Sequence, residues 1–154
     1  MSFAGKPFVL AVDDSLQALA ICEEYLEEHY RVYTVASAKL MFEALEVIKP
    51  DIILLDVMMP EIDGYEAARA LKSDSRYCDI PIIFLTGATD ESSESEGFAV
   101  GAVDYIHKPF NKISLLHRVE TQLSLRRHMH EVRELKIWLT KIKKSSGVVD
   151  EDEN

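Results

Sequence analysis

Five short apolar runs punctuate the chain: FVLAV (8–12), RVYTV (31–35), DIILLD (51–56), IPIIFLT (80–86) and DYIHK (104–108). Each is rich in Val, Ile, Phe or Tyr and has the length of a β-strand. The third and fourth are almost continuously apolar, as expected for strands buried on both faces of a parallel sheet. The intervening stretches have helical spacing: Leu19, Cys22 and Leu26 form one stripe, and Met41, Ala44, Leu45 and Ile48 another. Asp14 or Ser15 suits the N-cap of the first helix and Ser37 that of the second. Pro50 is expected to end the second helix, while Pro60 and Gly64 mark the loop after the third strand. The Ser-Glu run within 90–96 has low helix propensity and is expected to be the most mobile element. From about Lys112 to Lys144 no Gly or Pro interrupts the chain, which predicts a helix roughly 50 Å long.

This alternation predicts an α/β fold of (βα)5 type: a doubly wound, parallel, five-stranded sheet with an extended C-terminal helix. Crossovers in such sheets are right-handed, and active sites lie beyond the carboxyl ends of the strands. That rule selects residues. Strand one ends at Asp13 and Asp14, strand three at Asp56, strand four at Thr86 and strand five at Lys108. Any one of them alone is an ordinary cap or turn residue; polar groups from four strands converging on one rim form a candidate site. Three neighbouring carboxylates disfavour joint ionisation, and Lys108 supplies only one positive charge. A hard divalent ion with oxygen ligands, Mg²⁺ or Mn²⁺, meets the remaining need. An Asp held between such an ion and a lysine is suited to attack phosphorus as a nucleophile, and the Thr86 hydroxyl is placed to bond a phosphoryl oxygen.

Charge sharpens the picture. The net charge of −10 is unevenly spread: residues 1–110 carry 8 Lys and Arg against 20 Asp and Glu, residues 111–144 carry 9 against 3, and the tail adds the acids of DEDE. An acidic body argues against direct nucleic-acid binding. No stretch approaches the ~20 apolar residues that cross a bilayer, and the start of the chain lacks a signal-peptide pattern, so a cytoplasmic setting without membrane insertion is expected. Cys22 and Cys78 lack metal-site spacing and are expected to be free, buried thiols.

The paired acids of AVDDS, followed by LLDVMMPEIDGYE, IIFLTGAT and GAVDYIHKPF, resemble the motif series of two-component response-regulator receiver domains. The resemblance runs from about residue 7 to residue 124 and implies the flavodoxin-like fold of chemotaxis regulators. It implies that Asp56 accepts a phosphoryl group from a histidine kinase, a phosphotransfer protein or a small phosphodonor. Asp13, Asp14, Asp56 and the backbone carbonyl of Met58 are then the metal ligands, Thr86 and Tyr105 the switch pair, and Lys108 the phosphate clamp, joined to Pro109 by a cis bond. Departures from the pattern are the Ser-Glu segment and Val103, where an acid is common; both fall on the partner-facing side. The implied boundaries are a receiver domain at 4–124, a helical extension at 125–144 and an acidic, disordered tail at 145–154.

Two other classes fit parts of the sequence. An aspartate-based phosphohydrolase needs a second acid two positions after its nucleophile, where this chain has Met58. A receiver-shaped scaffold without phosphorylation has no need of the intact acids and Lys108. Glu61 and Asp63 are assigned to the turn before helix three rather than to the metal, and His107, His117, His128 and His130 are read as structural or solvent-facing. Beyond residue 124 too little chain follows for a DNA-binding or catalytic module, so an output domain is expected only in a longer parent. Leu125, Val132 and Leu139 repeat at seven, as do Leu135 and Ile142 three residues on, with His128 at the preceding equivalent position. This short a/d seam predicts a parallel homodimer through the C-terminal helix.

Overall fold

The computed structural model describes residues 5–87 and 96–147. Five strands, β1 (Phe8–Val12), β2 (Arg31–Val35), β3 (Ile52–Asp56), β4 (Ile82–Thr86) and β5 (Asp104–His107), form one sheet in the order β2-β1-β3-β4-β5. All four pairings are parallel, with Leu10 opposite Ile53, and Ile53 opposite Ile82. The helices are α1 (Leu16–Leu26), α2 (Ala38–Leu45), α3 (Gly64–Lys72), the helical residues 96–99 (α4) and α5 (Lys112–Ser146). The five apolar runs are the five strands. β3 and β4 are buried along their whole length, as their continuous apolar character requires.

Strand order reverses at β1 and β3, so right-handed crossovers put α1 on one face of the sheet and α2 and α3 on the other. Period-two alternation splits the core accordingly. Leu10, Val12, Ile53, Leu55, Ile82 and Phe84 pack with Met41, Ala44, Leu45, Ala67, Ala68 and Leu71 of α2 and α3. The alternate residues Val9, Ala11, Ile52, Leu54, Ile83 and Leu85 are fully buried on the opposite face, which α1 covers with its buried stripe Leu19, Cys22 and Leu26. Leu115 and Val119, near the start of α5, are also fully buried. Tyr30 donates a 2.8 Å hydrogen bond to Glu120, and Arg118 pairs with Asp104 at 2.7 Å, so the first turns of α5 are held by polar as well as apolar contacts.

Local signals decide the helix ends. Ser15 is the N-cap of α1, its Oγ accepting from the Ala18 N–H, and Ser37 caps α2 in the same way through Leu40. α2 stops at Leu45, well before Pro50, and Ile48 lies in the turn that follows. The residue before a proline is disfavoured in helical conformation, and this withdraws the helix end from Lys49. Cys22 is buried, but Cys78 is only half-buried, because it sits in the exposed α3–β4 connection; both are free thiols.

The Ser-Glu run expected to be mobile lies outside the described residues except for Glu96, and so does most of the predicted tail. α5 continues to Ser146, two residues past the expected end of the helical extension. The chain divides into two compact units, Met1–Gln122 and Leu123–Asn154. In the second unit Leu125, Met129, Val132, Leu135, Trp138, Leu139 and Ile142 of α5 are exposed.

Candidate functional site

The carboxyl ends of β1, β3, β4 and β5 deliver the site. Asp13 directly follows β1 and is fully buried. Its N–H donates to the Val35 carbonyl at 3.2 Å, continuing the β1–β2 ladder, and its Oδ1 accepts from the Ser15 N–H at 2.9 Å. One carboxylate oxygen thus shapes the turn into α1 while the other, Oδ2, faces the site. Asp14, one residue on, is exposed. Asp56 is the last residue of β3 and only 3% exposed.

Behind Asp56 the loop folds back tightly: the Val57 N–H donates to Leu85 O at 3.1 Å, and the Gly64 N–H to Val57 O at 2.9 Å. A Cβ on Gly64 would stand 2.2 Å from the Asp56 carbonyl oxygen and 2.8 Å from Val57 Cα, so no other residue fits. Asp63 caps α3 by accepting from the Glu66 N–H, and Glu61 takes a left-handed φ of 70°. Both belong to the turn, as their sequence context suggested. On the far side, Thr86 ends β4 almost completely buried. The Lys108 N–H donates to the Thr86 carbonyl at 2.8 Å, and the Lys108–Pro109 bond is cis.

The side chains of these residues meet. Carboxylate oxygens from Asp13, Asp14 and Asp56 all lie within 4.8 Å of one another. The Lys108 Nζ is 2.6 Å from Asp13 Oδ2 and 3.3 Å from Asp56 Oδ1. The shorter contact is an ion pair whose angles are poor for a hydrogen bond, which leaves Asp13 Oδ2 without a well-directed donor although it is fully buried. Burial, and next the negative charge of Asp13, push the Asp56 carboxyl up to about 7 against the opposing pull of Lys108. For Lys108, burial favours the neutral form, but the contacts with Asp13 and Asp56 outweigh it and the net direction is upward. Burial, reinforced by Asp13, drives the Cys22 thiol up to about 12, so it stays protonated and is not a nucleophile here.

One lysine therefore faces three carboxylates. A buried, poorly directed carboxylate oxygen beside an exposed second acid is a donor set suited to a hard divalent cation with solvent-open positions. The arrangement fits Mg²⁺ or Mn²⁺. The remaining candidates separate clearly. Tyr105 is buried in β5 among the rings of Phe84 and Phe98. Met58 exposes its side chain at the site's edge, while Met59 is buried. His117, His128 and His130 lie along α5.

A family model described as the response regulator receiver domain matches residues 9–120. The chain belongs to the response-regulator receiver family. The receiver of Vibrio cholerae chemotaxis protein CheY4 is 34% identical, with a TM-score of 0.72 over 76% of this chain and 98% of that one. A DrrB receiver domain activated with BeF3 is 33% identical, with a TM-score of 0.70 over 77% of this chain and 98% of that one. Among curated proteins, the response regulator SaeR of Staphylococcus aureus is 37% identical over 125 residues, covering 79% of this chain and 53% of that protein. A probable cyclic di-GMP phosphodiesterase of Vibrio cholerae is 36% identical over 143 residues, 92% of this chain but 32% of that protein. The chain thus spans from about a third to about half the length of these two curated relatives. It is a receiver of two-component signalling with the CheY-like fold; receiver domains bind Mg²⁺ through an acidic pocket, and this chain carries a cluster of three Asp carboxylates. Among the described residues no helix is long and apolar enough to cross a membrane.

Two residues of this receiver's site carried only a weak signal in the sequence. Gly64 reads as loop punctuation, yet it lets α3 start against the Asp56 backbone. Tyr65, the next residue, reads as a helix-face aromatic; its hydroxyl lies 3.5 Å from that of Tyr105.

Proposed function

We propose that Asp56 is the phosphoacceptor of this receiver and that its modification controls a partner or an output domain. The observation that carries this reading is the contact of Asp56 with both Lys108 and the acid pair at the mouth of a doubly wound sheet. Asp13, Asp14, Asp56 and the Met58 carbonyl would hold Mg²⁺ or Mn²⁺, which would neutralise charge on the phosphoryl oxygens. A carboxylate oxygen of Asp56 attacks phosphorus and forms the acyl-phosphate P–O bond. The P–N bond to the donor histidine breaks, and its electron pair leaves with the imidazole, which takes up a proton. Lys108 stays ionised and pairs with the transferred oxygens, and the Thr86 hydroxyl donates to one of them. Beyond this self-phosphorylation the chain is a signalling domain, not an enzyme with its own substrate turnover.

The output follows from Thr86 and Tyr105. Drawing the Thr86 side chain toward the phosphoryl group biases Tyr105 and with it the surface formed by α4, β5 and α5. Residues 4–124 are the receiver, the helical extension runs from 125 to Ser146, and the acidic residues of the tail follow it. The extension carries an exposed apolar seam of Leu125, Val132, Leu135, Leu139 and Ile142, which supports a parallel homodimer, marginal without phosphate and tighter with it. The match to the Vibrio phosphodiesterase reaches past residue 120 into α5, which supports this helix as the joint to an output domain in a longer parent. The cytoplasm is the setting in which a kinase or phosphotransfer partner meets it.

The direct test is the mass of the protein after incubation with a small phosphodonor and Mg²⁺. A single phosphoryl adduct that disappears in Asp56→Asn supports the reading. An adduct retained on another side chain of that variant overturns it, rapid turnover of the donor favours a phosphohydrolase, and no adduct favours a scaffold.

A further inference from the structure

Tyr105 is 5% exposed, although its neighbour Asp104 is partly open to solvent. Its ring packs against two others, and the hydroxyl of a third lies 3.5 Å from its own. The Phe84 centroid is 5.5 Å away, the Phe98 centroid is 5.2 Å away in an edge-on arrangement, and Tyr65 packs edge-on against Phe84 at 5.0 Å. The fourth wall is the backbone of Gly97. A Cβ there would stand 1.5 Å from the Tyr105 hydroxyl oxygen, 2.5 Å from its Cζ and 2.9 Å from Phe84 Cδ2. The hydroxyl therefore occupies the volume that any side chain at 97 would take.

Little else can give way. Phe84 is fully buried in the central sheet. The Gly97 carbonyl accepts from the Val100 N–H at 3.2 Å and from the Ala102 N–H at 3.1 Å, which ties the end of α4 to the connection that leads into β5. Tyr105 is the movable part, because one χ1 rotation carries its ring to another staggered well.

We propose that Gly97 and Tyr65 are positioning residues that seat Tyr105 inward in this receiver before any phosphoryl group arrives. Gly97 supplies the notch and Tyr65 the polar neighbour at its far end. Resting on the reading of Tyr105 as the switch residue, this assigns the inward state to the unmodified chain, so that phosphorylation stabilises an arrangement already populated rather than creating it. A resting population of the responding state gives basal partner binding and a smaller phosphate-dependent gain.

The test reads the ring itself. The chain has 6 tyrosines, so fluorotyrosine labelling with a Tyr105→Phe control assigns the Tyr105 signal by ¹⁹F NMR. A soluble paramagnetic agent then reports its solvent access, with and without beryllofluoride. In the unmodified wild type the signal is expected to be protected, and beryllofluoride to change that protection little. In Gly97→Ala the signal becomes several-fold more accessible without beryllofluoride. Alanine is the better helix former, so a lost helix does not account for that change. Tyr65→Phe, which loses a single oxygen, shifts access in the same direction by less, and an unmoved signal removes Tyr65 from the seat. A Tyr105 signal already exposed in the unmodified wild type, or one still protected in Gly97→Ala, overturns the proposal. If Gly97→Ala does not fold, the wild-type measurement alone decides. Phosphoryl adduct mass recorded on the unlabelled wild type and on Asp56→Asn separates the two readings: no wild-type adduct, or one retained in Asp56→Asn, counts against Asp56 as acceptor, whereas ring access counts only for or against the seat.

Discussion

Replacing Asp56 by Asn is expected to stabilise the metal-free receiver at neutral to alkaline pH while abolishing its chemistry. The Asp56 carboxyl is pushed from 3.8 up to about 7, first by burial and then by Asp13, with Lys108 compensating in part. Its folded-state value thus lies above its unfolded one. The fold favours the protonated acid, so this group's stability contribution is complete below about pH 4 and is lost as pH rises through about 7. A gap of about three pH units, at about 1.36 kcal/mol each, sets an upper limit of about 4 kcal/mol for the loss by about pH 8. Relaxation of the pocket and penetrating water bring the actual figure below that limit. The Asn amide keeps the shape and carries no charge, so most of this cost disappears. At about 2–4 °C per kcal/mol for a chain of this size, Asp56→Asn should raise Tm in chelator at about pH 8 by up to roughly 10 °C. The assay is urea and thermal unfolding of both proteins in chelator at about pH 5 and about pH 8, repeated with Mg²⁺. Wild type should be less stable at the higher pH, Asp56→Asn much less pH-sensitive, and Mg²⁺ should recover the wild type at about pH 8 by binding the folded state. Wild-type stability that stays flat or rises between the two pH values in chelator, with no gain from Asn, would refute the electrostatic reasoning.

The other tests address separate links. Removing both metal-pocket acids, Asp13→Asn with Asp14→Asn, should weaken Mg²⁺ binding by more than about 100-fold, roughly 3 kcal/mol, measured by titration calorimetry. Thr86→Ala should still form the acyl phosphate but show a reduced phosphate-dependent change in partner binding or self-association, read by sedimentation. Gly64→Ala should destabilise the domain by about 1–3 kcal/mol or more in urea unfolding, because the added Cβ meets the Asp56 carbonyl at 2.2 Å. The full chain is expected to form a homodimer at high concentration with beryllofluoride, and truncation after Leu125 to abolish it; a full chain that remains monomeric under those conditions removes the seam.

The fold was legible because its signals are local and repeated. Apolar runs of strand length at regular intervals, with Ser15 and Ser37 available as caps, specify alternating strands and helices whatever the tertiary context. The acid pocket was legible for a second reason. In a parallel doubly wound sheet every strand ends at the same rim, so naming the last residue of each strand nearly names the site. The length of α2 was not legible in the same way: its apolar stripe continues to Ile48, but the helix gives out at Leu45 ahead of Lys49 and Pro50. Nor was the pairing of Lys108 with Asp13 as well as Asp56, since sequence order says that a lysine reaches the rim and not which carboxylate it meets.

The environment of Tyr105 shows the boundary of such reading most clearly. Tyr65, Phe84, Gly97 and Phe98 come from α3, β4 and α4, and no spacing rule connects them. A glycine near the end of a helix is ordinarily read as conformational freedom, but Gly97 is not among the positive-φ glycines. What matters there is the missing side chain, whose space is filled by a hydroxyl from a residue eight positions later in the chain. Periodicity detects which face of an element is buried; it carries no information about a void that one element leaves for another. The acid cluster of this receiver is therefore readable from strand ends, whereas the proposed seat of Tyr105 depends on packing between elements, where a single methyl group on Gly97 is expected to exclude the ring.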